Sequence, residues 1–393
     1  MTSDTRSTDT FSSLAPPIWR ASTVVFKSLD DFVARRQRMP DGFSYGTTGT
    51  PTQRTLEGRI AELDAAAHCV VFPSGLAAIC GTLLAFLKAG DHLLMTDAAY
   101  VLAKTFAVER LAAFGVEVEF YEPRIGASIA QRLRPNTRMV WLESPGTVTM
   151  ELEDVPAIAA AAGARGVLTA IDNTWASPLG FSPLAHDVDL CIHACTKYMG
   201  GHSDVLMGSV STNDERLYKS IRGLQGMMGL AVSAEDCFLL SRGLDTLQVR
   251  LERQSASARI IAGRLAEHGL VRQVLFPALR DAPDHAMWAR DFRQSGSLMS
   301  LQLVDAPYDA YRALFRELKL FSIGASWGGV RSVASFYPAE ELDKRKYSDI
   351  RGPVMRLSIG LEEPQALLDE LLLALGAFQH ELERQRHTQE SFP

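Results

Sequence analysis

The chain has 393 residues, of which 47% are hydrophobic and 22% are charged, and its formal net charge is -6. This composition is typical of a folded protein and excludes a largely disordered chain. The negative net charge argues against a general affinity for nucleic acid or anionic membranes. At this length we expect two packed domains with an arm or tail attached.

The five cysteines are an odd number in a long chain and predict no disulfide framework. The N-terminus is polar and lacks the apolar core of a signal peptide. No later apolar run is long enough to cross a bilayer. We therefore expect a soluble protein in a reducing, cytoplasmic environment.

The first predicted unit, residues 1–50, mixes Ser, Thr, Pro and Gly with short apolar segments. This pattern is typical of an arm that contacts a neighbouring subunit. In residues 51–245, helical patterns alternate with strands predicted at CVVFP, HLLMT, VEVEFY, RMVWLES, GVLTAID and DLCIHAC. The alternation predicts an α/β domain with a mainly parallel sheet, covered by helices on both faces.

The last predicted unit, residues 246–393, is a smaller α+β domain. Long helical sequence from Ser233 to about His268 links it to the first domain. Within it, SGSLMSLQLV and VMRLSIGL alternate like strands, and QALLDELLLALGAF has apolar positions at helical spacing. The tail HELERQRHTQESFP is predicted to be frayed.

Three strand ends in the large domain carry residues suited to chemistry, and ligands in such sheets bind at the carboxyl ends of strands. Asp172 follows GVLTAI, Lys197 follows DLCIHACT, and CVVFP runs into Ser74, Gly75 and Leu76 at a predicted helix start. Backbone N–H groups at a helix start bind anions such as phosphate. A lysine beside a buried carboxylate is more often a simple ion pair. With the anion-binding turn, however, the set contains the parts needed to hold a phosphorylated pyridine aldehyde.

Two motifs, IDNTWASP and HACTKYMGGHSD, resemble the Cys/Met-metabolism family of pyridoxal-phosphate enzymes. The resemblance extends from about Pro16 to Glu363 and includes YGTTGTPTQRTLE, FPSGLAAI, IGASWGG and RLSIGLEE. It implies the fold of the fold-type I pyridoxal-phosphate transferases and pyridoxal 5'-phosphate as the cofactor. It also implies a homotetramer, a dimer of dimers, with active sites at subunit boundaries.

The resemblance further implies a role for each matching residue. Lys197 would bind the cofactor covalently and then act as the base at the substrate Cα. Asp172 would keep the pyridine nitrogen protonated, and Tyr100 would stack on the ring and assist proton transfer. Arg356 would hold the substrate α-carboxylate in a two-pronged contact that lysine could not reproduce. The other implied contacts are Gly75, Leu76, Thr196 and a neighbouring subunit's Tyr45 to the phosphate, and Ser326, Trp327 and Tyr45 to the substrate.

Two short segments resemble the cystathionine β-lyase branch of the family. Ser144-Pro-Gly-Thr resembles its Ser-Pro-Gly-Ser, and Ser326-Trp-Gly-Gly resembles its Ser-Trp-Gly-Gly, where γ-acting members carry Pro-Ala-Asn and Ser-Leu-Gly-Gly. The implied reaction cleaves the β carbon–sulfur bond of cystathionine, or of a related cysteine S-conjugate, to a thiol, pyruvate and ammonia. The alternatives are a γ-acting relative (a γ-lyase, γ-synthase or sulfhydrylase) and a non-catalytic homologue.

Some positions depart from the family pattern. Thr47 stands where many members have a phosphate-binding arginine, which leaves Arg54 as a hypothetical phosphate contact. Ala325 replaces a common tyrosine. Arg331 stands where a glutamate is frequent, and this charge reversal favours a distal carboxylate if the position faces the far end of the substrate.

A metal site is the remaining hypothesis from the sequence. His193, Cys195 and His202 are metal-ligating residue types close together in the chain. They lack a second ligand pair at the spacing of a zinc site, so we predict no metal.

Overall fold

The computed structural model of the protein describes residues 13–390, and within this range it contains two β-sheets with helices packed around them. The strands are β1 His68–Phe72, β2 His92–Thr96, β3 Glu117–Tyr121, β4 Thr137–Glu143, β5 Leu168–Asp172, β6 Leu190–His193, β7 Gly208–Thr212, β8 Val271–Leu275, β9 Leu298–Leu303, β10 Ser322–Ile323, β11 Val333–Tyr337 and β12 Val354–Ser358. The α-helices are α1 Leu29–Ala34, α2 Pro51–Leu63, α3 Gly75–Phe86, α4 Val101–Phe106, α5 Val155–Gly163, α6 Ser177–Gly180, α7 Glu215–Met227, α8 Ala234–Asp245, α9 Leu247–Ala266, α10 His285–Asp291, α11 Tyr308–Glu317, α12 Ala339–Leu342 and α13 Pro364–Glu390.

The larger sheet has seven strands in the order β1-β7-β6-β5-β4-β2-β3. It is parallel except at β7, which runs antiparallel to both β1 and β6. All residues of β2 are buried, as expected when helices cover both faces of a parallel sheet. The predicted α/β fold is therefore confirmed, and its parallel strands bring the ends of β4 and β5 together, with Glu143 in register with Asp172.

The smaller sheet has five strands in the order β10-β11-β12-β9-β8, which confirms a second α+β unit near the C-terminus. Arg356 lies on its β12 strand, in register with Ser335 on β11 and Ser300 on β9. We propose that the two domains meet near Asp245, with residues 51–245 and 246–393 on either side and residues 1–50 as the arm.

The segment predicted to be long helical sequence, from Ser233 to about His268, is helical in the structure as α8 and α9. Thr246 separates the two helices because it leaves helical geometry at φ -115° and ψ 6°. The tail predicted to be frayed continues α13 as far as Glu390. Phe378 and Leu382 on that helix are buried, and this packing stabilises it.

The sequence predicts no membrane-spanning helix, and the helices of the structure can be compared with this prediction. No helix within residues 13–390 is both long enough and apolar enough to cross a bilayer. The polar N-terminal segment that lacks a signal-peptide pattern falls largely on residues 1–12, which lie outside the described residues.

Candidate active site

A cavity of about 500 Å³ is lined by the ends of β4 and β5, the start of α3, and residues of β11 and β12. This volume is within the usual range for a small-molecule site. Most of the site residues predicted from the sequence line it: Gly75, Leu76, Tyr100, Asp172, Thr196, Lys197, Trp327 and Arg356. Residues far apart in the chain are thus brought to one place by the sheet topology.

The start of α3 has the features of an anion-binding site. The Ser74 hydroxyl caps the helix by accepting a hydrogen bond from the Ala77 N–H at 3.0 Å. The N–H groups of Gly75 and Leu76 lie before Ala77 in the same first turn. Such N–H groups have no intrahelical acceptor and, with the helix dipole, bind phosphate well. Glycine is needed here because a Cβ at Gly75 would lie 2.5 Å from the Ala194 Cβ.

Asp172 is a buried carboxylate at the end of β5. Its Oδ1 accepts a hydrogen bond from the Thr174 N–H at 3.0 Å, and a second one from the Thr174 hydroxyl. Burial raises the pKa of Asp172, while the Thr174 hydrogen bonds and the charge of Lys197 oppose that rise. A cationic partner in the cavity, such as a protonated pyridine nitrogen, would stabilise its ionised form.

Lys197 points its amine at the small domain, where Nζ donates to the Ser326 hydroxyl at 2.8 Å. The amine also lies 5.3 Å from the centre of the Trp327 ring. Burial, and then the positive charge of Arg356, lower the pKa of Lys197 to about 8, whereas Asp172 raises it. A much larger share of this amine is therefore neutral near pH 8 than for an ordinary lysine, and only the neutral amine can attack an aldehyde or accept a proton.

Arg356 is buried, and its Nη2 donates to three neutral groups: the Ser335 hydroxyl at 3.1 Å, the Ala325 carbonyl at 3.2 Å and the Ser326 carbonyl at 3.5 Å. Burial lowers its pKa. No ion pair to a carboxylate is formed by this guanidinium anywhere in residues 13–390. A substrate carboxylate would supply the missing negative charge, and a guanidinium group is suited to bind a carboxylate in a bidentate geometry.

The other predicted site residues also have partners within the protein. Tyr100 precedes α4, and its N–H donates to Glu143 Oε2 at 2.7 Å. The Thr196 hydroxyl accepts from the Met207 N–H at 3.0 Å. Trp327 packs edge-on against Tyr198, with ring centres 5.3 Å apart.

Glu143 is a cavity residue that the sequence analysis did not single out. It is buried, accepts hydrogen bonds from the Tyr100 N–H and the Thr147 hydroxyl, and sits in register with Asp172. Burial, and then the charge of Asp172, raise the pKa of Glu143 well above its usual range. The sequence does contain a pattern that indicates Glu143, because this residue ends the strand TRMVWLE just as Asp172 ends the next strand.

Three other residues that were not predicted as site residues form a charged network on the cavity wall. Lys104 Nζ lies 2.7 Å from Asp97 Oδ1, and Arg345 Nε lies 3.5 Å from Asp97 Oδ2. Arg345 also pairs with Glu151 at 3.3 Å. The lysine and the arginine are thus held by protein carboxylates, and no motif connects their positions in the sequence.

Some predicted residues lie outside the cavity of this single chain. Tyr45 belongs to the arm and is 53% exposed, so its contact with a neighbouring subunit's cofactor stays a prediction. Arg54 bonds instead to Glu57 at 2.8 Å and to the Thr48 carbonyl at 2.6 Å. Arg331 is exposed and is not among the residues lining the cavity, so the structure does not place it at the far end of a substrate.

The three residues considered for zinc have separate partners. His193 Nε2 lies 2.8 Å from Asp64 Oδ1, Cys195 Sγ contacts the Ser209 hydroxyl at 3.3 Å, and His202 Nδ1 contacts the Gly200 carbonyl at 2.7 Å. The structure therefore does not gather them into one site.

Comparison with known proteins identifies the family of this chain. The model of the family described as "Cys/Met metabolism PLP-dependent enzyme" matches residues 1–376. The chain belongs to this family. It is accordingly a pyridoxal-phosphate-dependent enzyme, which confirms the family, the cofactor and the enzymatic nature predicted from the motifs.

Among its relatives, the chain is 41% identical to a putative cystathionine beta-lyase of Rhizobium johnstonii, over 88% of this chain and 87% of the relative. It is 39% identical to the cystathionine beta-lyase MetC of Escherichia coli, over 90% and 91% of the two chains. A solved cystathionine gamma synthase of Xanthomonas oryzae, in complex with cystathionine, superposes with a TM-score of 0.88 at 31% identity, covering 96% of each chain. The similar proteins thus include both β-acting and γ-acting enzymes.

The residues present fit pyridoxal phosphate. The helix start at Gly75 offers backbone N–H groups to a phosphate, and Lys197 offers an amine with a lowered pKa. Asp172 offers a carboxylate that has no cationic partner within hydrogen-bonding distance among residues 13–390. These are the three contacts that the phosphate, the ring nitrogen and the aldehyde of the cofactor require.

Proposed function

We propose that the protein is a carbon–sulfur β-lyase, which cleaves cystathionine or a related cysteine S-conjugate to a thiol, pyruvate and ammonia. The observation that carries this proposal is the position of Lys197, whose amine is held by Ser326 in a cavity that also contains Asp172 and Arg356. One amine with a lowered pKa, next to an unneutralised arginine, suits removal of the Cα proton from an amino acid bound by its carboxylate.

Each residue has a role in this reaction. Arg356 binds the α-carboxylate and so places Cα within reach of Lys197. Lys197 holds the cofactor and then takes the Cα proton, and Asp172 keeps the ring nitrogen protonated. When bound, pyridoxal phosphate accepts the electrons that the deprotonated Cα releases. Tyr100, in the same cavity and kept neutral by a raised pKa, assists the transfer of a proton to the departing sulfur.

Two features favour β over γ cleavage. The segments around Pro145 and Trp327, which resemble the β-lyase branch, both line the cavity and so lie where they can influence the reaction. The two relatives cited above are also named as a putative cystathionine beta-lyase and as a cystathionine beta-lyase.

The test is the identity of the keto acid. Purified protein with bound cofactor is incubated with cystathionine, and the products are separated and identified by mass. Pyruvate together with homocysteine supports the β-lyase. A γ-acting enzyme is the second candidate, because this chain is also similar to a cystathionine gamma synthase. It would instead give cysteine and 2-oxobutanoate, or a new thioether when a second thiol is added.

We also propose that the protein forms a homotetramer in which the arm completes a neighbouring site through Tyr45. Large apolar side chains of the arm are exposed in the single chain, among them Trp19 at 52% and Val25 at 89%. Such a surface is typical of a subunit contact. Sedimentation of a species four times the 43.1 kDa chain mass would support this assembly, and a stable monomer would contradict it.

A further inference from the structure

The charged residues of the cavity fall into two groups. Most are engaged by other parts of the protein: Asp97, Lys104, Glu143, Asp172, Lys197, Arg345 and Arg356 each form a hydrogen bond or ion pair. Glu341 and Lys344 also line the cavity, yet neither side chain forms a hydrogen bond or ion pair with any residue of the described chain. Two charges of opposite sign are therefore free to meet a ligand.

These two residues lie at the exposed mouth of the cavity. Glu341 is on the one-turn helix α12, and Lys344 follows that helix by two residues. Both are exposed, whereas Leu342 between them is buried against Val148. The segment is thus anchored by an apolar contact while its two charges remain in solvent.

Tyr337 connects this mouth to the proposed carboxylate site. Its ring lies 5.2 Å from the guanidinium of Arg356, and it also lines the cavity. Burial raises the pKa of Tyr337, the charge of Arg356 lowers it and the charge of Glu341 raises it, so both charged groups lie near this hydroxyl in the same cavity. A ligand bound by its α-carboxylate at Arg356 would extend past Tyr337 toward Glu341 and Lys344.

We infer that Glu341 and Lys344 select substrates whose leaving group carries its own ammonium and carboxylate, the first binding the ammonium and the second the carboxylate. This inference rests on the proposed function, because it concerns the far end of the thioether that the β-lyase cleaves. A pair of free, opposite charges matches a zwitterion better than a group of either single charge. The segment therefore favours a thioether with an amino acid at both ends.

The expected effect is modest because both side chains are exposed to water. Contacts between exposed charges are weakened by solvent and salt. We expect loss of either one to lower kcat/KM by roughly two- to fivefold for a substrate with the matching group.

The test uses four thioethers that differ only at the far end. Cystathionine carries both charged groups, S-(3-aminopropyl)cysteine only the ammonium, S-(3-carboxypropyl)cysteine only the carboxylate, and S-propylcysteine neither. Release of keto acid is measured with the cofactor-loaded protein and with Glu341→Gln and Lys344→Gln. The matched controls are Glu340→Gln and Lys346→Gln, because these neighbours have the same charges but do not line the cavity.

Glu341→Gln is expected to lower kcat/KM for cystathionine and the aminopropyl compound and to leave the other two unchanged. Lys344→Gln is expected to act on cystathionine and the carboxypropyl compound alone. The inference is overturned if either variant changes all four substrates equally, changes none of them, or behaves like its control.

The outcome for the reaction type is read separately. If the wild-type protein releases 2-oxobutanoate from cystathionine, the β-lyase proposal fails. The three cysteine conjugates are then measured as competitive inhibitors, and the recognition of the far end stands if the two variants weaken their inhibition with the same selectivity. If the wild-type protein gives pyruvate with no selective loss in the variants, the β-lyase stands and the inference fails.

Discussion

The two sides of the cavity hold their charges in different ways. On the side made by strand ends, Asp172 is fixed by Thr174 and Lys197 by Ser326, and burial shifts the pKa of both. On the side made by α12, Glu341 and Lys344 are exposed, and their side chains form no hydrogen bond or ion pair with another described residue. The charged side chains of the first side are ordered before a ligand binds, as catalysis requires. Those of the second side are free to be ordered by the ligand, which suits the selection of substrates.

The largest effect should come from the strand-end side, through Lys197→Ala. Loss of the amine removes both the covalent link to the cofactor and the base at Cα, so turnover should fall by at least about 1000-fold. Borohydride reduction followed by mass analysis should find no cofactor attached to the protein. The control is Lys104→Ala, because Lys104 lines the same cavity but is bound to Asp97, and this variant should still carry the reduced cofactor.

Retained turnover in Lys197→Ala would contradict the distinction between the two sides, because catalysis would then not depend on the strand-end side. Cofactor attached to Lys104 in the wild-type protein would do the same.

The strand-end side was largely predictable from the sequence. Asp172, Thr196 and Lys197 lie in contiguous motifs that each follow a strand, and parallel strands necessarily bring such ends together. Gly75 was predictable for the same reason, because a glycine after Ser74 begins a helix at a strand end. Glu143 ends a strand in the same way, so this rule would have found it as well.

The α12 side was not predictable. Glu341 and Lys344 belong to no motif, and they reach the cavity only because Leu342 packs against Val148, a contact between residues far apart in the chain. Part of the fold was missed for a related reason. Strand β7, GSVST, has small and polar residues in place of an apolar run, and it is buried only because both β1 and β6 pair with it.

A smaller effect is expected from Gly75→Ala, which tests the anion turn. The added Cβ would lie 2.5 Å from the Ala194 Cβ and 2.9 Å from the Ala194 Cα, so α3 has to move away from the segment leading to Lys197. Overpacking of this kind costs about 1–3 kcal/mol. We expect the dissociation constant of pyridoxal phosphate, measured by fluorescence titration of cofactor-depleted protein, to rise roughly tenfold.

The matched control is Gly223→Ala, in the middle of α7, where an added Cβ meets nothing within 4 Å. It should leave cofactor affinity unchanged and stabilise the protein by about 0.5–1 kcal/mol, because alanine favours the helix. Equal cofactor affinity in the two variants would show that the turn at Gly75 does not hold the phosphate.

The smallest effect is a change in the pH at which cofactor-depleted protein reacts with pyridoxal phosphate. The pKa of Lys197 is lowered to about 8, so its neutral, reactive amine increases as pH rises through that value, and the rate at saturating cofactor should have its midpoint there. Arg356→Met removes a positive charge that lowers this pKa, so the midpoint should move to higher pH. Asp172→Asn removes the negative charge that raises it, so the midpoint should move to lower pH.

Shifts of opposite sign distinguish an electrostatic effect on one amine from general damage to the cavity, which would change the rate without moving the two midpoints apart. Lys344→Gln supplies the comparison with the α12 side, because Lys344 is not among the groups that shift the pKa of Lys197. Its midpoint should stay with that of the wild-type protein. A shift in this variant as large as in Arg356→Met would mean that the two sides of the cavity share one electrostatic environment, and that chemistry and selection are not separated as their contacts indicate.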